Sequence, residues 1–340
     1  MKTRVIFRAD GNISIGLGHV FRSLALVEML RNEFECLFII YNPEAKLEKL
    51  IKSFCNIHTL HVVDKKIELK ELENVLSQDD IMVTDGYEFN EEYQKHIKSK
   101  VKKLAMIDDK AEMYFFADLV INHGGQLLKK NYFAEPHTIV VTGFEYLVIR
   151  HQFLNFAATK RIISKVDTVF ICMGGSDPFN ITAKVFKAAI NCDFIKRVII
   201  VIGSANNNHA ELTELAEKIS AKTITIEKNI DANRMVELMA QCEIAICTAS
   251  SVALEVCCVK AGLLTGTVVD NQLGIHRQLH KSACCLSLHD LNVVSIEEIT
   301  QSLYKLKTVT AVQTIVDNQS RVIDGLSGER ILNLFKQLAA

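Results

Sequence analysis

The chain has 340 residues, too many for one hydrophobic core and a fitting number for two domains of roughly 150 to 200 residues each. Apolar residues make up 49% and charged residues 23%, with 15 Gly and only 3 Pro, which excludes a disordered or collagen-like chain. With 39 Lys and Arg against 40 Asp and Glu, the formal charge of -1 gives no electrostatic footprint for a nucleic acid.

The ten cysteines include the neighbours Cys257-Cys258 and Cys284-Cys285 but no C-x-x-C pair of metal or redox spacing. They read as reduced, buried thiols of a cytoplasmic protein. No run approaches the roughly 18 apolar residues that cross a bilayer, and Arg8 and Asp10 interrupt the amino-terminal segment before a signal-peptide core forms. Insertion into a membrane is therefore not expected.

In chain order, short β-branched runs at residues 4–8, 36–41, 81–84 and 104–107 read as buried parallel strands. Residues 19–31 and 91–100 show helical periodicity between them, as in Val20, Leu24, Val27 and Leu30, which is β-α-β wiring. After a lapse over residues 150–165 the pattern restarts, with strands expected at 168–172, 198–202, 223–226, 244–247 and 263–269. The expected organisation is α/β: two doubly wound, Rossmann-like domains over residues 1–152 and 160–325, facing across a cleft. A carboxy-terminal helix over residues 326–340 could cross back to the first domain.

Ligands of such sheets sit beyond the carboxyl ends of the strands, so the strand-to-helix loops carry the candidate chemistry. The first loop runs from Arg8 and Asp10 through Gly16 and Gly18 to His19. Phe21 stands where the third glycine of a dinucleotide fingerprint belongs, so the NAD reading is weak. His19 opens a helix, whose positive end favours the neutral ring that a general base needs; a helix-start residue bonded to a carbonyl is the competing reading. Gly16 and Gly18 allow a ligand to approach it closely.

Asp85 ends a strand, where it could orient His19, bind a sugar hydroxyl or simply cap a turn; Tyr87 could pack on a sugar or donate to it. Asp108 and Asp109 read as capping residues and His123 as structural. In the second half, Gly174, Gly175 and Ser176 form a turn suited to phosphate oxygens, without the Lys of a Walker loop. Ser250 and Ser251 open a helix with Glu255 one turn inside, an arrangement for a diphosphate and a ribose or else a plain cap and an acid. Asn271 and Gln272 follow a strand at the same end of the sheet. No D-x-D sequence offers a metal-held nucleotide sugar, so protein dipoles would carry the leaving-group charge.

The string from Arg8-Ala-Asp-Gly to Gly16-Leu-Gly-His19, with Gly174-Gly-Ser-Asp177, Ala249-Ser-Ser251 to Glu255 and Asp270-Asn-Gln272, resembles the UDP-sugar hydrolases of pseudaminic acid biosynthesis, MurG-like enzymes of GT-B fold. The likeness extends to Glu329-Arg330. It implies cleavage of UDP-2,4-diacetamido-2,4,6-trideoxy-β-L-altropyranose to UDP and free sugar by inverting attack of water, without metal or other cofactor. By position, His19 falls on that family's general base, Tyr87 on its tyrosine after the strand-end Asp85, and Gly174, Gly175, Ser176, Ser250, Ser251, Glu255, Asn271 and Gln272 on its nucleotide loops. Gly86 departs from the pattern, since a His often stands there. The alternatives are a GT-B glycosyltransferase that uses the same base on an acceptor hydroxyl, and a non-catalytic nucleotide-sugar binding protein.

Overall fold

The computed structural model describes residues 2–11, 16–61, 64–125 and 129–340. They divide into two compact units, one of Met1–His151 with Leu326–Ala340 and one of Gln152–Gly325.

The first unit is built on β1 (Arg4–Ala9), β2 (Glu35–Tyr41), β3 (Asn56–Leu60), β4 (Ile81–Asp85), β5 (Lys103–Ile107), a two-residue β6 (Tyr114–Phe115), β7 (Leu119–Asn122), a two-residue β8 (Phe133–Ala134) and β9 (Ile139–Thr142). Seven of these form a parallel sheet in the order β3-β2-β1-β4-β5-β7-β9, while β6 and β8 pair separately. Side chains alternate between its faces. Val5, Phe7, Ala9, Val83, Ile107 and Ile121 pack with the helix Gly18–Leu30. Ile6, Met82, Met106 and Val120 fill the other face with the helices Lys65–Leu72 and Glu91–Lys98. Ile331, Phe335 and Leu338 of the last helix, Ser327–Ala339, belong to the first of these cores, where Phe335 meets Phe34 edge-on at 6.4 Å.

The second unit has β10 (Thr168–Cys172), β11 (Arg197–Ile202), β12 (Thr223–Lys228), β13 (Ile244–Thr248), β14 (Gly262–Thr267) and β15 (Leu286–Asp290), all parallel, in the order β12-β11-β10-β13-β14-β15. Both sheets run outward from their first strand and then reverse, so each has a switch point: between β1 and β4 in one and between β10 and β13 in the other. Loops leaving those strands diverge to opposite faces and open a crevice at the carboxyl ends. All but one of the ten cysteines are buried and all are free thiols; Cys55 is partly exposed. Among the described residues, no helix is long and apolar enough to cross a membrane.

Candidate active site

At the first switch point Ala9 is the register partner of Asp85. Asp85 shares the parity of Ile81 and Val83 and therefore faces the helix that carries His19. His19 lies in the first turn of that helix, and its Nδ1 is 2.7 Å from Asp85 Oδ1. Arg22, three residues on and on the same face, donates from Nε to Asp85 Oδ2 at 2.7 Å and from Nη2 to Oδ1. Burial pushes the Asp85 carboxyl up, but the charge and hydrogen bonds of Arg22, followed by those of His19, outweigh it and hold the group at about 2. Asp85 is thus an ionised acceptor towards Nδ1, and in the neutral tautomer that donates to it Nε2 carries the lone pair.

Tyr87 meets the His19 ring edge-on, with centroids 5.0 Å apart, and its hydroxyl donates to Asp109 Oδ2 at 3.2 Å. Burial and then the Asp109 charge raise the Tyr87 phenol well above its ordinary range, so it remains a neutral donor. His19, Arg22, Gly86, Tyr87, Met106, Ile107, Lys110, Glu112 and Met113 line one recess, over which Lys110 Nζ sits 4.2 Å from the Tyr87 ring centroid. A more open hollow lined by Arg31, Phe34, Lys52 and Phe54 lies at the amino ends of β2 and β3, the wrong end of a parallel sheet for a ligand site.

Arg8 is placed differently from the ligand-binding role expected of it, and the partly exposed Asp10 is bonded to it. Arg8 has the parity of Ile6, so it points to the face opposite His19, where it is wholly buried. Its Nε and Nη2 bond Glu68 at 2.8 and 3.0 Å, and its Nη1 and Nη2 bond Asp10 at 2.5 and 2.7 Å. Tyr93 Oη adds a 2.9 Å bond to Glu68, and the Tyr41 amide donates to Asp10 at 2.8 Å. This network braces the start of the loop from inside and leaves Arg8 no surface for a ligand. Gly16, at φ +82, and Gly18 both adjoin open space; residues 12–15 of the loop lie outside the described residues.

Asp109 faces Arg22 and Tyr87, and His123, expected to be structural, is buried and bonded to Arg22. Asp108 does the capping, accepting the Lys110 and Ala111 amides at 3.0 and 2.8 Å, whereas Asp109 lies 3.6 Å from Arg22 Nη1. His123 Nε2 is 3.3 Å from the same Nη1. Burial first, and then the Arg22 charge, lower the His123 ring to about 3, so it is neutral. Arg22 was not singled out in the sequence; the signal is its position three residues after His19.

At the second switch point Cys172 is the register partner of Cys247. After β10, Gly174 takes φ +89 with open space beside it, and Gly175 and Ser176 are exposed. Asp177 accepts the Ile181 and Thr182 amides at 2.8 Å each, so the next helix, Ile181–Ile190, is already capped and the free groups of this turn are the glycines and the serine. Gly203, unremarked in the sequence, lets the turn sit where it does: a Cβ there would lie 2.2 Å from the Gly175 carbonyl oxygen.

After β13, Ser250 precedes the helix Ser251–Val259 without capping it; its hydroxyl is instead 3.1 Å from Thr248 Oγ1. Ser251 is exposed and Glu255, one turn inside, is 4% exposed, so any ribose it takes must reach inward. Asn271 is exposed in the 3-10 turn Asp270–Gln272, whereas Gln272 spends its Oε1 on the Val268 amide at 2.8 Å.

Two Rossmann-like domains with these strand orders define the GT-B fold. The crystal structure of Acinetobacter baumannii MurG matches with a TM-score of 0.67 over 99% of this chain and 100% of that one, at 12% identity, which shows the fold alone. In sequence, the chain is 26% identical over 276 residues, 79% of its length and 93% of the relative's, to UDP-2,4-diacetamido-2,4,6-trideoxy-β-L-altropyranose hydrolase of Campylobacter jejuni. It is 30% identical over 258 residues to an uncharacterized protein of Methanocaldococcus jannaschii; this match takes in 72% of the chain but spans only about half, 51%, of that longer protein. No family model matches the chain.

Proposed function

We propose that the chain is a nucleotide-sugar hydrolase acting on UDP-2,4-diacetamido-2,4,6-trideoxy-β-L-altropyranose. The observation that carries this reading is the 2.7 Å bond from His19 to Asp85, which leaves a bare Nε2 in a chain similar to a hydrolase of that substrate. In the proposed reaction, Nε2 takes a proton from water as the water oxygen bonds to the anomeric carbon. The bond from that carbon to the diphosphate oxygen breaks with its electron pair, UDP leaves, and the configuration inverts. UDP is a good leaving group, so one base and a cradle for its charge suffice.

The cradle is assigned to Gly174, Gly175, Ser176, Ser250 and Ser251, with Glu255 taking the ribose and Asn271 and the Gln272 amide nitrogen adding donors. Tyr87 is assigned to the sugar, and the partly exposed apolar side chain of Met113 in the same recess suits its acetamido or 6-deoxy methyl groups. Arg8 and Asp10 brace the loop and are not assigned ligand contacts. The test is an acceptor-free incubation with this UDP-sugar, followed at the anomeric proton by NMR. Release of UDP and a first-formed sugar of inverted anomeric configuration supports the reading. Turnover only when a hydroxyl acceptor is added makes the chain a transferase, and UDP binding without turnover under either condition makes it a binding protein.

A further inference from the structure

The groups of the first switch point converge on Arg22. Its guanidinium spans three neighbouring strand ends: Nε is 2.7 Å from Asp85 Oδ2 at the end of β4, and Nη1 is 3.6 Å from Asp109 Oδ2 after β5 and 3.3 Å from His123 Nε2 after β7. A guanidinium only donates, so His123 Nε2 must accept and the ring proton must sit on Nδ1. That Nδ1 is buried and has no hydrogen-bond partner among the described residues, in a residue only 3% exposed. An unpaired buried donor is costly, and the arrangement persists because of what the opposite nitrogen holds. A carboxylate at this place would compete with Asp85 for Arg22, and an apolar side chain would leave Nη1 without this acceptor. A neutral imidazole satisfies Arg22 without pulling it away.

We propose that Arg22, aimed by the neutral ring of His123, is the positioning residue of the His19 base: it pins both oxygens of Asp85 so that Oδ1 takes the Nδ1 proton of His19 and Nε2 stays bare. The inference rests on the reading of His19 as the base. Arg22 touches no reacting atom in this role. It also explains why Nη2 comes within 3.2 Å of His19 Nδ1, since both donate to the same Asp85 oxygen.

The test combines two-bond 1H–15N spectra of the 15N-histidine-labelled full chain, which report each ring's tautomer, with steady-state kinetics. In the wild type, His19 and His123 should both show the neutral Nδ1–H tautomer. In Arg22→Met, His19 should lose its single tautomer while kcat falls about 30-fold or more, with KM and UDP affinity within about twofold. Arg22→Lys should not restore kcat, because one ammonium cannot grip both Asp85 oxygens and His123 together. His123→Leu should lose about tenfold in kcat, and His123→Gln, which keeps a neutral acceptor, should recover most of that loss.

An Nε2–H or charged His123 in the wild type overturns the proposal, as does an Arg22→Met enzyme with an unaltered His19 tautomer or kcat, or full rescue by lysine. If Arg22→Met does not fold, the wild-type spectrum and the His123 pair decide. A wild type that never turns over the UDP-sugar removes the proposed reaction, yet the spectra of wild type and Arg22→Met together still decide whether Arg22 sets the His19 tautomer.

Discussion

The switch points of the two sheets occupy equivalent places, Ala9 beside Asp85 in one and Cys172 beside Cys247 in the other, but opposite kinds of residue follow them. At the first, side chains hold one another: Arg22, His19, Asp85, Asp109 and His123 are joined by contacts of 3.6 Å or less. At the second, glycines and serines leave backbone groups open, and the helix Ser251–Val259 has no side-chain cap. The same strand order thus supports two designs. Interlocked charges select a tautomer and a protonation state, which suits proton transfer, whereas unfilled amides at a helix start suit an anion. If this division is correct, substitutions at one switch point change rate and those at the other change nucleotide affinity.

The largest separation should come from His19→Ala. Loss of the base is expected to lower kcat by at least about 100-fold while UDP, titrated calorimetrically, binds as before. A joint loss of rate and UDP affinity would break the division at its strongest point. Next in size is a pH effect confined to the first switch point. Above pH 6.5, the ordinary value for histidine, His123 is neutral in folded and unfolded chains alike; below it the unfolded chain takes up a proton that the fold refuses until about 3. The His123 contribution to stability is therefore full above 6.5 and falls as pH drops towards 3, by about 2 kcal/mol on reaching about pH 5. Asp85 adds to the loss only lower, between its ordinary 3.8 and about 2. Urea unfolding of wild type and His123→Gln across this range should show the slope in the first and a flatter line in the second.

Much of the sheet architecture was legible because central strands are buried on both faces and so appear as unbroken apolar runs. Of the strands that left no clear signal, Asn56–Leu60, Ile139–Thr142 and Leu286–Asp290 lie at sheet edges, where His58 and Ser287 interrupt two of the runs, whereas Leu119–Asn122 is an interior strand of only four residues. The site was legible in part. His19, Asp85 and Tyr87 follow strands in a distinctive loop pattern, but Asp109 and His123 looked like a cap and a structural ring because sequence does not show which face they share. Parity does: Asp85, Asp109 and His123 each stand two residues beyond a core residue of the face that packs with the helix Gly18–Leu30, namely Val83, Ile107 and Ile121. The same count moves Arg8 to the opposite face, which is why an apparent ligand residue became a buried brace.

Gly203→Ala probes the second switch point through its backbone. The added Cβ would stand 2.2 Å from the Gly175 oxygen and 2.5 Å from its Cα, so the turn must move. UDP affinity should fall about tenfold, near 1.4 kcal/mol, with kcat at saturation within about twofold. A lowered kcat at unchanged affinity would place the turn in the chemistry and not in the cradle.

Ser250→Ala makes the finest distinction, because it separates an anion contact from an ordinary helix cap. A capping serine lost to alanine costs about 1 kcal/mol of stability, but among the described residues the Ser250 hydroxyl makes no such bond and lies instead 3.1 Å from the Thr248 hydroxyl. Thermal unfolding should therefore barely change. If the hydroxyl instead serves the diphosphate, its loss should weaken UDP by about 1 kcal/mol, near fivefold, read by calorimetry. The reverse outcome, a lower melting temperature with UDP affinity intact, would make Ser250 a structural residue and leave the cradle to the amides of the glycine turn and the helix start.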